Sequence, residues 1–215
     1  GHQVHFVDSF LRGVRDNDLQ SLICDSNVQF SELNLRDRKA VVNLGRDYEY
    51  IFHLAAIIGV KHVISQPYKV LTENVNIFEN VISLSKKQKN LKRLLFASSS
   101  EIYAGSVASG DVKIPTDENV RLILPNLLQP RSTYMLSKLY GEVMSIHADL
   151  PFTIFRPHNV YGPNMGNEHV IPELIRKIQK NTKIINIQGS GKDTRSFIFI
   201  DDFKQAFKCI LKKGK

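Results

Sequence analysis

The stretch TYMLSK, residues 133 to 138, places the phenol of Tyr134 four positions before the ammonium of Lys138 in a run with helical periodicity. Residues four apart lie on one face of a helix. An isolated tyrosine has a pKa of about 10 and lysine about 10.4, so a lone phenol is a poor base at neutral pH. A cation one helical turn away favours the phenolate and makes the pair a candidate proton-transfer couple. The plainer reading is two residues decorating a solvated helix. No other titratable pattern competes: the seven histidines show no paired ligand spacing, and Cys24 and Cys209 belong to no CxxC or Cys/His metal motif. No metal site and no disulfide framework are expected.

The elements that must hold this pair alternate along the chain. HQVHFVD (2–8), NVQFSEL (27–33), YEYIFHLAA (48–56), LKRLLFASSS (91–100) and PFTIFRP (151–157) read as strands, and segments near 38–44, 69–88 and 133–148 as helices. Strand and helix alternating in this way predict a parallel sheet covered on both faces, which suits the nearly continuous apolar character of YIFHLAA and LLFAS. After residue 165 the pattern predicts a helix near 170–180, strands IINI (184–187) and SFIFI (196–200), and a last helix from about Asp201.

With 215 residues, 42% hydrophobic and 23% charged, the chain has material for one full core and the start of a second domain. It contains no apolar run of the roughly 18 residues a membrane span needs, and GHQVHFVD lacks the basic head and apolar stretch of a signal peptide, so a cytoplasmic location with no membrane partner is expected. The net charge of +8 raises the question of nucleic acid. Its densest cluster, KKQKNLKR (86–93), falls at a predicted helix C-terminus, where cations are favourable. No nucleic-acid partner is expected; an anionic small substrate also suits a basic surface.

The first predicted strand ends in Asp8. In a dinucleotide-binding fold an acid at the tip of the second strand takes the adenosine ribose hydroxyls, about 20 residues after a glycine-rich turn. Counting back that far runs off the start of the sequence, so the first strand and the glycine loop of such a fold are expected to be missing from it. With HLAA (53–56), ENV (73–75), ASSSEIYAG (97–105), YMLSK (134–138), RPHNVYGP (156–163) and GSGKDTRSFIFIDD (189–202) in register, the chain resembles the extended short-chain dehydrogenase/reductase family. Its closest likeness there is to the NAD-dependent nucleotide-sugar epimerases and dehydratases, the group of UDP-glucose 4-epimerase.

The resemblance spans essentially all 215 residues. It implies a Rossmann-type doubly wound sheet over 1–165, and a partial substrate-binding lobe with returning Rossmann elements over 166–215, cut short where the family continues. It implies NAD as cofactor, preferred over NADP because the Asp8 carboxylate repels a 2′-phosphate. In the implied roles Tyr134 removes a proton from a sugar hydroxyl, Ser99 hydrogen-bonds the same oxygen, and Lys138 also holds the nicotinamide ribose. Asp8, Leu35, Leu54, Ala55 and Ala56 match cofactor contacts, as do Asn74, Ser98, Pro157 and His158. Asn159, Val170 and Arg195 match contacts to a nucleotide-diphosphate sugar, with the Arg195 fork suited to a diphosphate. Members of this group commonly form homodimers through the YxxxK helix and the one before it.

The exact reaction turns on Glu101. A sugar epimerase needs only Tyr134, Ser99 and room for the keto sugar to turn over. A 4,6-dehydratase or decarboxylase uses a carboxylate beside the catalytic hydroxyl, as Glu101 stands beside Ser99 and Ser100. The structural alternative is a carboxylate facing solvent. The overall look of VYGPNMGNEHVIPELI (160–175) places an epimerase ahead of the dehydratase or decarboxylase. A non-catalytic nucleotide-binding or scaffold protein on the same fold is the alternative of another class.

Overall fold

A computed structural model describes residues 1–124, 126–166, 169–180, 184–187, 189–192 and 194–214. Asp193 of the GSGKDTR motif lies outside the described residues. The chain alternates strand and helix as expected. β1 (Val4–Asp8) and β2 (Val28–Glu32) pair in parallel, with Val4 opposite Val28 and Asp8 opposite Glu32. Between them runs α1 (Asn17–Ile23), whose N-terminus is fixed by the Asp16 side chain accepting the Leu19 N–H at 2.8 Å. Asp37 caps α2 (Arg38–Val42) in the same manner.

β3 (Tyr50–His53), β4 (Arg93–Ala97) and β5 (Phe152–Phe155) form a second parallel sheet. The crossover from β3 to β4 consists of α3 (Val60–Ser65) and α4 (Pro67–Ser85), and Pro67 opens the longer helix where a missing N–H costs nothing. From β4 the chain passes through a 3₁₀ turn (Ser100–Tyr103) and α5 (Ala104–Ser109) to α6 (Ser132–Ile146), which leads back to β5. A third parallel pair joins β6 (Asn159–Tyr161) to β7 (Phe197–Phe199), with α7 (Val170–Gln179) between them and α8 (Ile200–Lys213) after.

The register of the middle sheet explains its composition. Ile51, His53, Leu94, Phe96 and Ile154 share the face covered by Phe78, Val81 and Met144 of α4 and α6. Phe52, Leu95 and Phe155 share the other face, where Phe207 of α8 stacks on Phe52 and meets Phe155 edge-on, and Phe203 lies tilted against Phe155. Leu94 and Leu95, neighbours that point in opposite directions, are both fully buried. Two covered faces leave no position for polar alternation.

Two expectations need correction. IINI forms no strand: Ile184, Ile185 and Ile187 are exposed and, among the described residues, pair with no neighbouring strand. β propensity is satisfied only where a sheet edge receives it. Conversely, β6 arises inside RPHNVYGP from a three-residue pairing with β7, a partner far along the chain that local pattern does not reveal. Among the described residues, no helix is long and apolar enough to cross a membrane.

Candidate active site

Because His53 aligns with Phe96 and Ala97 with Phe155, β3, β4 and β5 end together. The residues that follow them, Leu54–Ala55–Ala56, Ser98–Ser99 and Arg156–Pro157–His158, emerge at one edge. In open α/β sheets the carboxyl edge is where ligands bind. The loop after β1 reaches the same region, where Arg12 donates to the Ile58 carbonyl at 2.9 Å.

α6 delivers the tyrosine and the lysine to this edge. Lys138 is 4% exposed; its Nζ donates to the Ala97 carbonyl at 2.7 Å and lies 5.2 Å from the Phe96 ring centroid and 5.8 Å from that of Tyr134. The hydroxyl of Ser99 accepts the Glu101 N–H at 3.2 Å, and as a neighbour of the Tyr134 phenol it favours the phenolate.

Burial is the largest influence on the pair: it pushes the Tyr134 phenol up to about 12, against the pull of Ser99; the Glu101 carboxylate pushes it further up and Arg12 draws it down. The Lys138 ammonium is turned to the Ala97 carbonyl and Phe96, and burial lowers its own pKa to about 8. His53 lies beneath, stacked on Phe78 with centroids 4.9 Å apart, and burial reinforced by Lys138 holds it down at about 3. A neutral imidazole adds no charge against the lysine.

The other predicted residues divide into groups. Ser98 is 2% exposed, and among the described residues its Oγ has no hydrogen-bond partner. Leu54 and Ala55 are exposed and Ala56 is half-buried. Asn74 is committed within the protein: its side chain accepts the Ile57 N–H at 2.7 Å and donates to the Ile57 carbonyl at 3.1 Å and to Ser137 Oγ at 3.2 Å, pinning the loop after β3 to α6. Asp8 accepts the Phe10 N–H at 2.7 Å, while Leu35 packs against the Phe78 and Phe96 cluster. The Pro157 carbonyl accepts the Ser100 N–H at 3.2 Å, and His158 is exposed. Glu101 pairs with Arg131 at 3.3 Å, half-exposed.

Asn159, Val170 and Arg195 are not drawn to Tyr134 by any described hydrogen bond. Asn159 donates to the Ser196 carbonyl at 2.8 Å, Arg195 to its neighbour Thr194 at 2.7 Å, and Val170 opens α7 half-exposed. Two groups near the site stand outside the sequence motifs' assigned roles. One is His53, detectable as the lone polar residue in the apolar run YIFHLAA. The other is a buried fork between Arg156 and Glu142, with Nε to Oε1 at 2.9 Å and Nη2 to Oε2 at 2.8 Å, which no sequence spacing announces. Among the described residues, no group of three or more His, Cys, Asp or Glu side chains could hold a metal ion.

Residues 1–215 match the model of the NAD dependent epimerase/dehydratase family. The chain belongs to the NAD-dependent epimerase/dehydratase family. Within this epimerase/dehydratase family it is 30% identical over 205 residues to a dTDP-D-glucose 4,6-dehydratase of Dictyostelium discoideum, covering 93% of this chain and 47% of that one. It is 28% identical to a UDP-N-acetyl-alpha-D-glucosaminuronate decarboxylase of Bacillus cytotoxicus, covering 96% and 62%. The structure of UDP-glucuronic acid 4-epimerase from Bacillus cereus, in complex with UDP-glucuronic acid and NAD, superposes with a TM-score of 0.82 at 26% identity, over 99% of this chain and 66% of that one. The chain thus spans about half to two thirds of the length of these three proteins.

Proposed function

We propose that this protein is an NAD-dependent enzyme acting on a nucleotide-diphosphate sugar, a sugar epimerase that transiently oxidises one ring carbon, usually C4. The observation that carries the reading is the phenol of Tyr134 beside Ser99, which favours its phenolate, with the buried Lys138 ammonium 5.8 Å from its ring centroid, at the carboxyl edge of the parallel sheet. The residues present suit the cofactor. The buried, unpartnered Ser98 Oγ offers a polar contact, and exposed Leu54 offers an apolar wall. Asp8, Leu35, Leu54, Ala55, Ala56, Ser98, Pro157 and His158 would hold NAD, with Asn74 acting by fixing the loop after β3 and with Tyr134 and Lys138 at its reactive end. Bound there, NAD would supply the hydride acceptor that a transient oxidation requires.

Tyr134 takes the proton of the sugar hydroxyl while Ser99 donates to the same oxygen and stabilises its negative charge. Asn159, Val170 and Arg195 are the proposed contacts to the nucleotide-diphosphate sugar. In the complete protein, Tyr134→Phe removes only the acid/base oxygen: turnover should fall to background while NAD affinity stays within about twofold. Undiminished turnover would sink this reading.

A second reading is favoured by Glu101, whose carboxylate acts on the Tyr134 phenol as well as pairing with Arg131. A carboxylate so placed can move a proton at a neighbouring carbon, as a 4,6-dehydratase or decarboxylase requires. Glu101→Gln decides between them: an epimerase keeps its kcat within a few-fold, whereas a dehydratase or decarboxylase loses about 100-fold or more.

We also read residues 1–165 as the NAD-binding unit, 166–215 as the beginning of the substrate lobe, and the assembly as a homodimer through α4 and α6, supported by exposed Tyr140, Val143 and Ile146 on α6. Exposed, unpaired Cys24 and Cys209 suit a cytoplasmic, reducing setting.

A further inference from the structure

We propose that Arg156 is a positioning residue that sets the distance between Ser99 and Tyr134, through the Tyr103 hydroxyl on one side and the Glu142 carboxylate on the other. The inference rests on the reading of the site given above. Its basis is the connectivity of one side chain. Arg156 follows directly on β5, and its guanidinium reaches two elements that carry the reacting groups. Nε and Nη2 fork onto Glu142 of α6, eight residues after Tyr134, and Nη1 donates at 2.7 Å to the Oη of Tyr103, which closes the 3₁₀ turn four residues after Ser99. The same nitrogen donates to the Glu118 carbonyl at 2.8 Å, and the carbonyl of the adjacent Pro157 accepts the Ser100 N–H.

Ser99 sits on the 3₁₀ side and Tyr134 on the α6 side, and Ser99 favours the Tyr134 phenolate across the gap between the two elements. The spacing of the two hydroxyls is therefore set by whatever fixes those elements relative to each other. Arg156 is suited to that task. The side chains of Arg156 and Glu142 are 18% and 6% exposed, and a planar bidentate fork holds direction as well as distance. Taking such a pair out of water is costly and contributes little net stability, so a positional role accounts for it better than a stabilising one.

Removing Arg156 or Glu142 leaves an uncompensated buried charge and can unfold the chain. Tyr103→Phe avoids this: it deletes one oxygen and keeps the ring packed with Ile102 and Met135. Four forms of the complete, NAD-loaded protein are compared: wild type, Tyr103→Phe, Ser99→Ala and the double variant. Displacing Ser99 withdraws support from the phenolate, so the rising limb of the pH–rate profile should move to higher pH. Tyr103→Phe is expected to lower kcat on the order of tenfold with KM within about twofold, and to shift that limb in the same direction as Ser99→Ala. In the Ser99→Ala background it should add nothing, because the hydroxyl it positions is already gone.

An unchanged kcat and pH limb in Tyr103→Phe overturns the proposal, as does a loss of equal size whether or not Ser99 is present. A wild type that turns over no nucleotide sugar, or a Tyr134→Phe that stays active, overturns the reading of the site instead.

Discussion

Lys138 carries its charge where an ammonium is poorly solvated, and the consequence is measurable without any substrate. Its pKa in the fold is about 8, against 10.5 when exposed. Between those two values the unfolded chain holds the proton and the folded chain has released it, so stability rises with pH across that window. The gain amounts to about 3 kcal/mol. Tyr134 acts in the opposite sense at higher pH: its phenol keeps its proton up to about 12 in the fold but only to 10 when exposed, so its contribution falls as pH passes from 10 to 12. Urea unfolding of the NAD-free protein isolates the first effect. The stability of wild type relative to Lys138→Met should grow by about 3 kcal/mol from pH 8 to pH 10.5, and a constant difference would contradict the burial argument. The identity of this pair was legible as YxxxK, but the depth at which it is buried was not. That depended on the Ala97 carbonyl, the Phe96 ring and the depth of α6, none of which spacing encodes.

At the scale of elements, the closeness of α6 to β4 depends on Gly141. A methyl group at that position would lie 2.2 Å from Cζ of Phe96, a ring held between Phe78 and His53. Gly141→Ala should therefore push α6 off the sheet, costing about 1–3 kcal/mol and carrying Tyr134 and Lys138 away from Ser99. Thermal melts and kcat should fall together. Phe96→Leu, which makes room for the methyl, should recover part of both losses when combined with Gly141→Ala; no recovery would mean that the close approach is not what positions α6. The long helices here were legible, 69–88 and 133–148 against Pro67–Ser85 and Ser132–Ile146, because each buries one apolar stripe. The short elements were not. α3 has six residues, and the 3₁₀ turn owes its form to Ser99 capping the Glu101 N–H rather than to any period. IINI misled because alternation records a preference, not the presence of a neighbouring strand.

At the scale of the whole molecule, the net charge of +8 separates two classes of partner that the fold alone does not. Cations near the candidate site attract a nucleotide diphosphate over distances comparable to the Debye length, about 10 Å at 0.1 M salt, and that attraction weakens as salt is added. A protein that grips a nucleic-acid backbone neutralises many phosphates at once, and its affinity falls by roughly 10³–10⁵ over a fourfold rise in salt. The two slopes differ enough to be told apart in one titration. In the complete protein, KM for a nucleotide sugar should rise by no more than about tenfold between 50 mM and 500 mM salt with kcat unchanged, since the reacting groups Tyr134, Ser99 and Lys138 are screened by burial rather than by ions. Duplex DNA in parallel should bind no more tightly than the roughly 10⁻⁴–10⁻⁶ M typical of non-specific contact at physiological salt. Tighter DNA binding with a steep salt slope would assign the basic surface to nucleic acid. A KM indifferent to salt would show instead that the substrate diphosphate is held by short-range contacts, with the net charge playing no part in its capture.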